Sequence, residues 1–337
     1  MKVIGKGSVH VYSPEDEYPH TPGEEEFWQE SWVVYFFDPV NDVYAFLRMS
    51  QEPNRDDGAH THWVHVWTPG HMYRNVQAVP IEAGDRTDDS IAAHKGLCTY
   101  HYDGKFNWTI SDPEHGFELK LVLDDFHPGI GPYAEEEVGS LVSQANKHHI
   151  EATGHATGTV SAPGERHEIS GIYWRDHSWG MRNWDNIRTH RAFYALFGKD
   201  FSFFPITFLG ADNQKVKAGA VIRNDTVYMT TDFDILAYMG SDGVTNAGGQ
   251  IKLRLDGETL VMNFVPKTTC SVSFHHNFVL ADTMCEVRMG DRVGVGVAET
   301  STNPQGGKMP AGVSAPSQFE NGLFPRVQDP WAWGTGR

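Results

Sequence analysis

Gly171-Ile-Tyr-Trp-Arg-Asp-His-Ser-Trp-Gly-Met-Arg-Asn-Trp184 concentrates the unusual chemistry of this chain. Its fourteen residues hold three Trp, one Tyr, two Arg, an Asp, a His and a Ser. A solvated loop has no use for so many large aromatics, and an ordinary core strand does not bury Asp, His and Arg together. Unpartnered buried charge costs several kcal/mol or forces the group neutral. The stretch therefore reads either as a tightly paired structural knot or as the floor of a site.

Outward from it, the chain reads as strand after strand. Trp32-Val-Val-Tyr-Phe-Phe37 and Asp42-Val-Tyr-Ala-Phe-Leu-Arg48 surround Asp38-Pro39 and predict a hairpin. His60-Thr-His-Trp-Val-His-Val-Trp67 alternates as far as Pro69-Gly70, and short β-rich runs follow at 96–102, 105–110 and 117–123. Residues 126–133 break the rhythm as a loop, 133–146 suit one short helix, and strands restart at 148–158. Asn224-Asp225 and Asp256-Gly257 read as two-residue hairpin turns. No long 3.6-residue period appears, so the fold class is all-β, twice over: a β domain at 1–145 and a second at 146–300. Residues 301–337, rich in Pro and Gly, read as an extended arm. Trp331 and Trp333 would be costly to leave in water. The arm is therefore expected to dock on its own body or on a partner subunit, the latter making a homodimer.

A length of 337 residues fits two domains at ~100–200 residues each. A hydrophobic content of 39%, with 12% aromatic, is ample for packed cores. The net charge of -17, with no Lys/Arg cluster, argues against nucleic acid and against an anionic membrane surface. Cys98, Cys270 and Cys285 form no Cys-x-x-Cys pair, which suits a reducing compartment. With no apolar leader and no membrane-length apolar run, the expectation is a soluble cytoplasmic protein. Neither a Gly-x-Ser-x-Gly nor a phosphate-cradling Gly loop is present, so no cofactor is expected.

Within the opening stretch, Asp176 and His177 are expected in a cavity lined by Tyr173, Trp174, Trp179 and Trp184. A carboxylic acid among apolar walls has its pKa raised and can donate a proton. Aromatic faces stabilise a cation formed by that protonation. The competing reading is an ion pair of Asp176 with Arg182 or Arg175, which would depress the Asp pKa and shift the acid role to His177. A second cluster, Lys147-His-His-Ile-Glu-Ala-Thr-Gly154, puts His149 and Glu151 on one strand face, with Gly154 and Gly158 allowing close backbone approach. His60, His62 and His65 invite a metal reading, but no carboxylate follows at a suitable spacing, so packing histidines and no metal are expected. Glu299 ends an apolar strand and could point into the second barrel's cavity, although the plainer reading is a solvated Glu at a strand end.

The Gly-x-x-x-Arg-Asp-His-Ser-Trp-Gly-x-Arg pattern, with His149-Ile-Glu151 before it and the Gly-x-Gly-x-x-Glu strand at 294–299 after it, resembles the carotenoid 1,2-hydratase (hydroxyneurosporene synthase)-like and AttH-like superfamily. The resemblance runs mainly through the second half. It implies two lipocalin-like (calycin-type) antiparallel β-barrel domains packed together, and Asp176, His177 and Trp179 near the chemistry. The hydratase's later Tyr-x-Asp element meets only Tyr194 and Asp200, without its spacing, so acid-catalysed chemistry is implied more broadly than carotenoid hydration. The expected function is a cofactor-independent hydratase or dehydratase acting on a hydrophobic isoprenoid- or aromatic-like small molecule. His177 or Asp176 would be the catalytic proton donor and Glu151 or His149 the catalytic base that handles the water; Tyr173, Trp174, Trp179, Arg182, Trp184, Tyr194 and Glu299 would bind substrate. The alternatives are a non-catalytic lipocalin-like carrier, an isomerase or cyclase, or a metal-dependent β-barrel enzyme.

Overall fold

The computed structural model describes residues 2–4, 9–55, 58–131, 148–184, 187–210, 213–275, 278–303 and 320–326. Among them the chain is β apart from a 3-10 turn at Pro14–Glu17, and no helix is long and apolar enough to cross a membrane. Two curled, antiparallel half-barrel sheets pack together in a lipocalin-like double arrangement, with thirteen strands in the first sheet and eleven in the second among the described residues.

The expected hairpin forms from Trp28–Asp38 and Val43–Glu52, with Asp42 at φ 55 in its turn. The turns at Asn224-Asp225 and Asp256-Gly257 have positive φ at both central residues, as two-residue hairpin loops require. The division between sheets does not fall at residue 146. His148–Ala162 and Glu165–Met181 pair with each other and join the first sheet, where Glu165–Met181 lies against Trp28–Asp38. Glu165–Met181 carries large buried groups on both faces, so it needs a covered, central position that an edge of a separate barrel would not supply. The sheets part after Met181, and Ile187–Leu196 opens the run of second-sheet strands. The helix expected at 133–146 lies outside the described residues.

Among the described residues, alternation distributes side chains into three large cores and a small cluster of Trp28, Ile150 and Trp179. Tyr35, Phe46 and Trp174 of the first sheet meet Tyr194, Phe204 and Phe208 of the second between the sheets. Phe36, Leu47 and Leu119 fill the first half-barrel, and Phe193, Phe203 and Phe264 fill the second. Of the arm, Gly322–Pro325 adds a strand beside His71–Pro80. Arg326 then pairs with Asp42 at 3.0 Å and donates to the Thr68 carbonyl. That part of the arm docks on its own body; Trp331 and Trp333 lie outside the described residues.

Close backbone approach at Gly154 and Gly158 is present: a Cβ at Gly158 would stand 1.8 Å from the Lys120 carbonyl oxygen, and one at Gly154 would stand 2.2 Å from that of Asp124. Gly158→Ala should therefore lose about 1–3 kcal/mol in urea denaturation, the usual range for overpacking. An unchanged midpoint would contradict this packing.

Candidate active site between the sheets

Three successive cross-strand rows of the first sheet build the floor of a cavity between the sheets. The first row is aromatic: Trp174, Tyr35, Phe46 and His65 stand side by side in register. The second is charged: Glu151, Asp176, Val33, Arg48 and Trp63. The third is hydroxylic, running from His149 through Ser178, Ser31 and Ser50 to Thr61. The roof comes from the second sheet, with His190, Tyr194, Ile206, Phe208, Leu280 and Glu299 facing down. Arg182 and Trp184, just past the end of Glu165–Met181, close one side. The space left is narrow, about 70 Å³.

Asp176 and His149 form its ionic centre. His149 Nε2 lies 3.0 Å from Asp176 Oδ2 and 3.3 Å from Glu151 Oε1. Burial alone would drive the His149 proton off, but Asp176 and Glu151 outweigh it and raise the imidazole pKa to about 9. Burial would likewise protonate Asp176, yet His149 and Arg182 hold its carboxyl below the ordinary range. At neutral pH the pair is thus imidazolium and carboxylate. Arg182 Nη1 donates to Ser31 Oγ and Ser178 Oγ, each at 2.8 Å, and its guanidinium lies 4.6 Å from the Trp184 ring centre.

Across the cavity, Glu299 Oε2 accepts from the Tyr35 hydroxyl at 2.9 Å, and its Oε1 lies 2.5 Å from His190 Nε2. His190 Nδ1 is 2.8 Å from Ser301 Oγ, so the imidazole is held at both nitrogens. Asp282 stands beside Glu299 in register. Burial, and then the Glu299 carboxylate beside it, push the Asp282 carboxyl far above its ordinary range.

Of the site residues expected from sequence, Asp176, His149, Trp174, Arg182, Trp184, Tyr194 and Glu299 meet in this cavity. Glu151 is buried behind His149. The expectation that His177 shares a cavity with Asp176 is corrected, and Tyr173 and Trp179 go with it. The period of two turns Tyr173, Arg175, His177 and Trp179 to the opposite face of the strand. There Arg175 is clasped by Glu17 and Asp125 at 2.6 and 2.5 Å, and Tyr173 donates its hydroxyl to Asp125. His177 Nε2 lies 3.0 Å from Glu30, while Trp179 stacks on His20 at 3.8 Å. The guanidinium clasp considered for Asp176 thus belongs to its neighbour Arg175.

His20, Glu30 and His177 offer three donor atoms within 4.8 Å of one another. His20 and His177 both lie against Glu30 Oε1, and Arg86 donates to Oε2 at 2.5 Å, so both carboxylate oxygens are already engaged by side chains. Glu30 reads better as the anion of this cationic cluster. His60, His62 and His65 are buried packing residues: His60 is held near pKa 3 by burial, His62 near 4.

Sequence reasoning missed Tyr35, Arg48 and His190. For Arg48 a signal existed, since Tyr44, Phe46 and Arg48 alternate on one face of an otherwise apolar strand. For Tyr35 and His190 there was none, because their partner Glu299 is far away in sequence.

A family model described as a domain of unknown function, DUF7064, matches residues 13–304. No curated protein matches. Among solved structures, the chain is similar to an AttH from Nitrosomonas europaea at 13% identity and a TM-score of 0.64, with 90% of this chain and 99% of that one covered. It is similar to CghA at 10% identity and TM-score 0.54, covering 84% of this chain and 90% of that one. The kievitone hydratase from Nectria haematococca gives 9% identity and TM-score 0.54, over 89% of this chain and 95% of that one. At these identities the likeness is one of fold.

The network on the far face predicts an acid limb. Burial alone would raise Glu17, and Arg175 and His177 outweigh it to hold the carboxyl at about 2; Glu30, also buried, is held at about 2 by His177, His20 and Arg86. Both pKa values are depressed, so their contribution to stability is complete above the ordinary 4.5 and is lost as pH falls toward 2. Thermal melts from pH 5 to 2 should show a steep fall in Tm that Glu17→Gln makes shallower. An equally steep fall in the variant would contradict the assignment.

Proposed function

This chain belongs to the DUF7064 family, and from that premise we propose that it is a cofactor-independent hydro-lyase acting on a hydrophobic small molecule bound between the two sheets. One observation carries the reading: a charged proton-donor pair, Asp176–His149, faces a second hydrogen-bonded carboxylate, Glu299, across an aromatic-walled cavity. An acid and a base on opposite walls are what addition of water to an alkene needs.

In the hydration direction, His149 gives its proton to one alkene carbon. Trp174 and Tyr35 shield the cation left on the other carbon with their rings. Water adds to that carbon and gives up a proton to Glu299, which Tyr35 and His190 hold in position. One C–H and one C–O bond form as the alkene π bond is lost. Exchange of a proton with solvent resets His149 and Glu299. Dehydration runs the same steps backwards from neutral His149 and protonated Glu299: Glu299 delivers its proton to the departing hydroxyl, and His149 takes one from the neighbouring carbon as the alkene forms. Asp176 keeps His149 charged and oriented, a role that differs from the direct acid role expected of it from sequence. His177, on the far face, has no part in this mechanism.

The fold likeness to a protein named kievitone hydratase supports this chemistry over the alternatives. A structure of CghA with Sch210972 has the same fold likeness, which fits a small-molecule site on this scaffold. The soluble, cytoplasmic setting and a homodimer through the arm are proposals that follow from the sequence.

Incubation with a panel of apolar alkenes and tertiary alcohols in ¹⁸O-labelled water should give labelled alcohol or loss of water, read by mass spectrometry. Asp176→Asn and His149→Gln should each lower turnover roughly 10²–10⁴-fold, the range for a positioned proton donor. Full turnover in both folded variants would overturn the assignment. An intact apolar ligand retained without change would favour a carrier.

A further inference from the structure

Arg48 sits at the middle of the charged row, between Val33 and Trp63, and is 5% exposed. Among the described residues, neither Nη1 nor Nη2 has a hydrogen-bond partner. The guanidinium lies 4.2 Å from the Trp63 ring centre. Buried side-chain donors are nearly always satisfied, and a buried charge without a partner is among the more destabilising features a core can carry. Burial, and then repulsion from Arg182, lower its pKa to about 10, which still leaves it charged at neutral pH. The nearby carboxylates are already engaged: Asp176 with His149, and Glu52 with Gln29. An anion in the cavity would relieve both the missing hydrogen bonds and the repulsion between the two arginines.

We infer that Arg48 anchors an oxyanion on the ligand of this cavity, a carboxylate or phenolate carried by a flat, apolar body. A guanidinium presents parallel N–H donors that match two oxygens of a planar anion, and its weak hydration suits a buried site. Arg48 and Asp176 are two strands apart across Val33, roughly 10 Å at the usual spacing. A molecule anchored at Arg48 therefore lays its body over Val33 and brings its far end to the His149–Asp176 pair. The inference rests on the reading of this cavity as the substrate site, and it narrows the substrate to apolar acids. A neutral analogue would leave the guanidinium unpaired and be rejected.

Isothermal titration of the full chain with benzoate, 4-nitrophenolate and the neutral acetophenone tests this without any turnover. At least one of the two anions should bind, acetophenone should bind more weakly, and Arg48→Gln should weaken the anion on the order of tenfold to a hundredfold. Arg48→Lys should fall between. Without ligand, Arg48→Met should raise Tm, because it removes a buried guanidinium whose Nη donors have no hydrogen-bond partner among the described residues. Failure of both anions to bind, equal affinity in Arg48→Gln, tight acetophenone binding, or a lower Tm in Arg48→Met would each overturn the anchor. Arg48-dependent anion binding in a protein that turns over nothing would remove the lyase alone. Turnover with Arg48-independent binding would remove the anchor alone.

Discussion

From Tyr173 to Gly180 the Glu165–Met181 strand is covered on both faces, and its period of two sends neighbouring charged residues into separate compartments. Asp176 faces the cavity between the sheets. Arg175 and His177, on either side of it, face the interior of the first half-barrel. Everything distinctive in the molecule follows from that split. The odd-numbered face carries a paired ionic network, in which Arg175 holds Glu17 and Asp125 while His177 and Arg86 hold Glu30. The even-numbered face carries the Asp176–His149 pair beside an open space. One face reads as the structural knot and the other as the floor of a site.

Pairing on both sides of this strand is what makes the arrangement possible. Trp28–Asp38 brings Val33 and Tyr35 to one flank, and His148–Ala162 brings His149 and Glu151 to the other. Because Val33 is small, the row opens between Asp176 and Arg48 where larger residues would have closed it. The roof then completes the site through Tyr35, whose hydroxyl reaches across the sheets to Glu299. A carboxylate from the second sheet is thereby fixed over a charge pair from the first, so the site exists only while the two sheets are packed.

Much of this was legible in the sequence. Alternation and turn chemistry gave an all-β fold, because a hairpin such as that at Asp42 is a local matter of φ and side-chain period. His149 and Glu151 on one face, and the close approach at Gly158, were also local facts. The sheet boundary was not, since membership of Glu165–Met181 depends on pairing with Trp28–Asp38, well over a hundred residues away. The same holds for facing. Asp176 and His177 are adjacent in the chain, and an extended backbone through Asp-His-Ser keeps them on opposite sides. Glu299 could be suspected from its strand, but its partners Tyr35 and His190 could not.

The central claim is that His149 is a proton donor made by its carboxylate neighbours, inside a cavity that would otherwise strip it of charge. Titration of the His149 side-chain ¹⁵N resonances by NMR measures this directly. Both ring nitrogens should carry protons at pH 7, with a midpoint near pH 9 that falls when Asp176 is replaced by Asn. A neutral imidazole at pH 7, with a midpoint at or below the ordinary 6.5, would contradict the account.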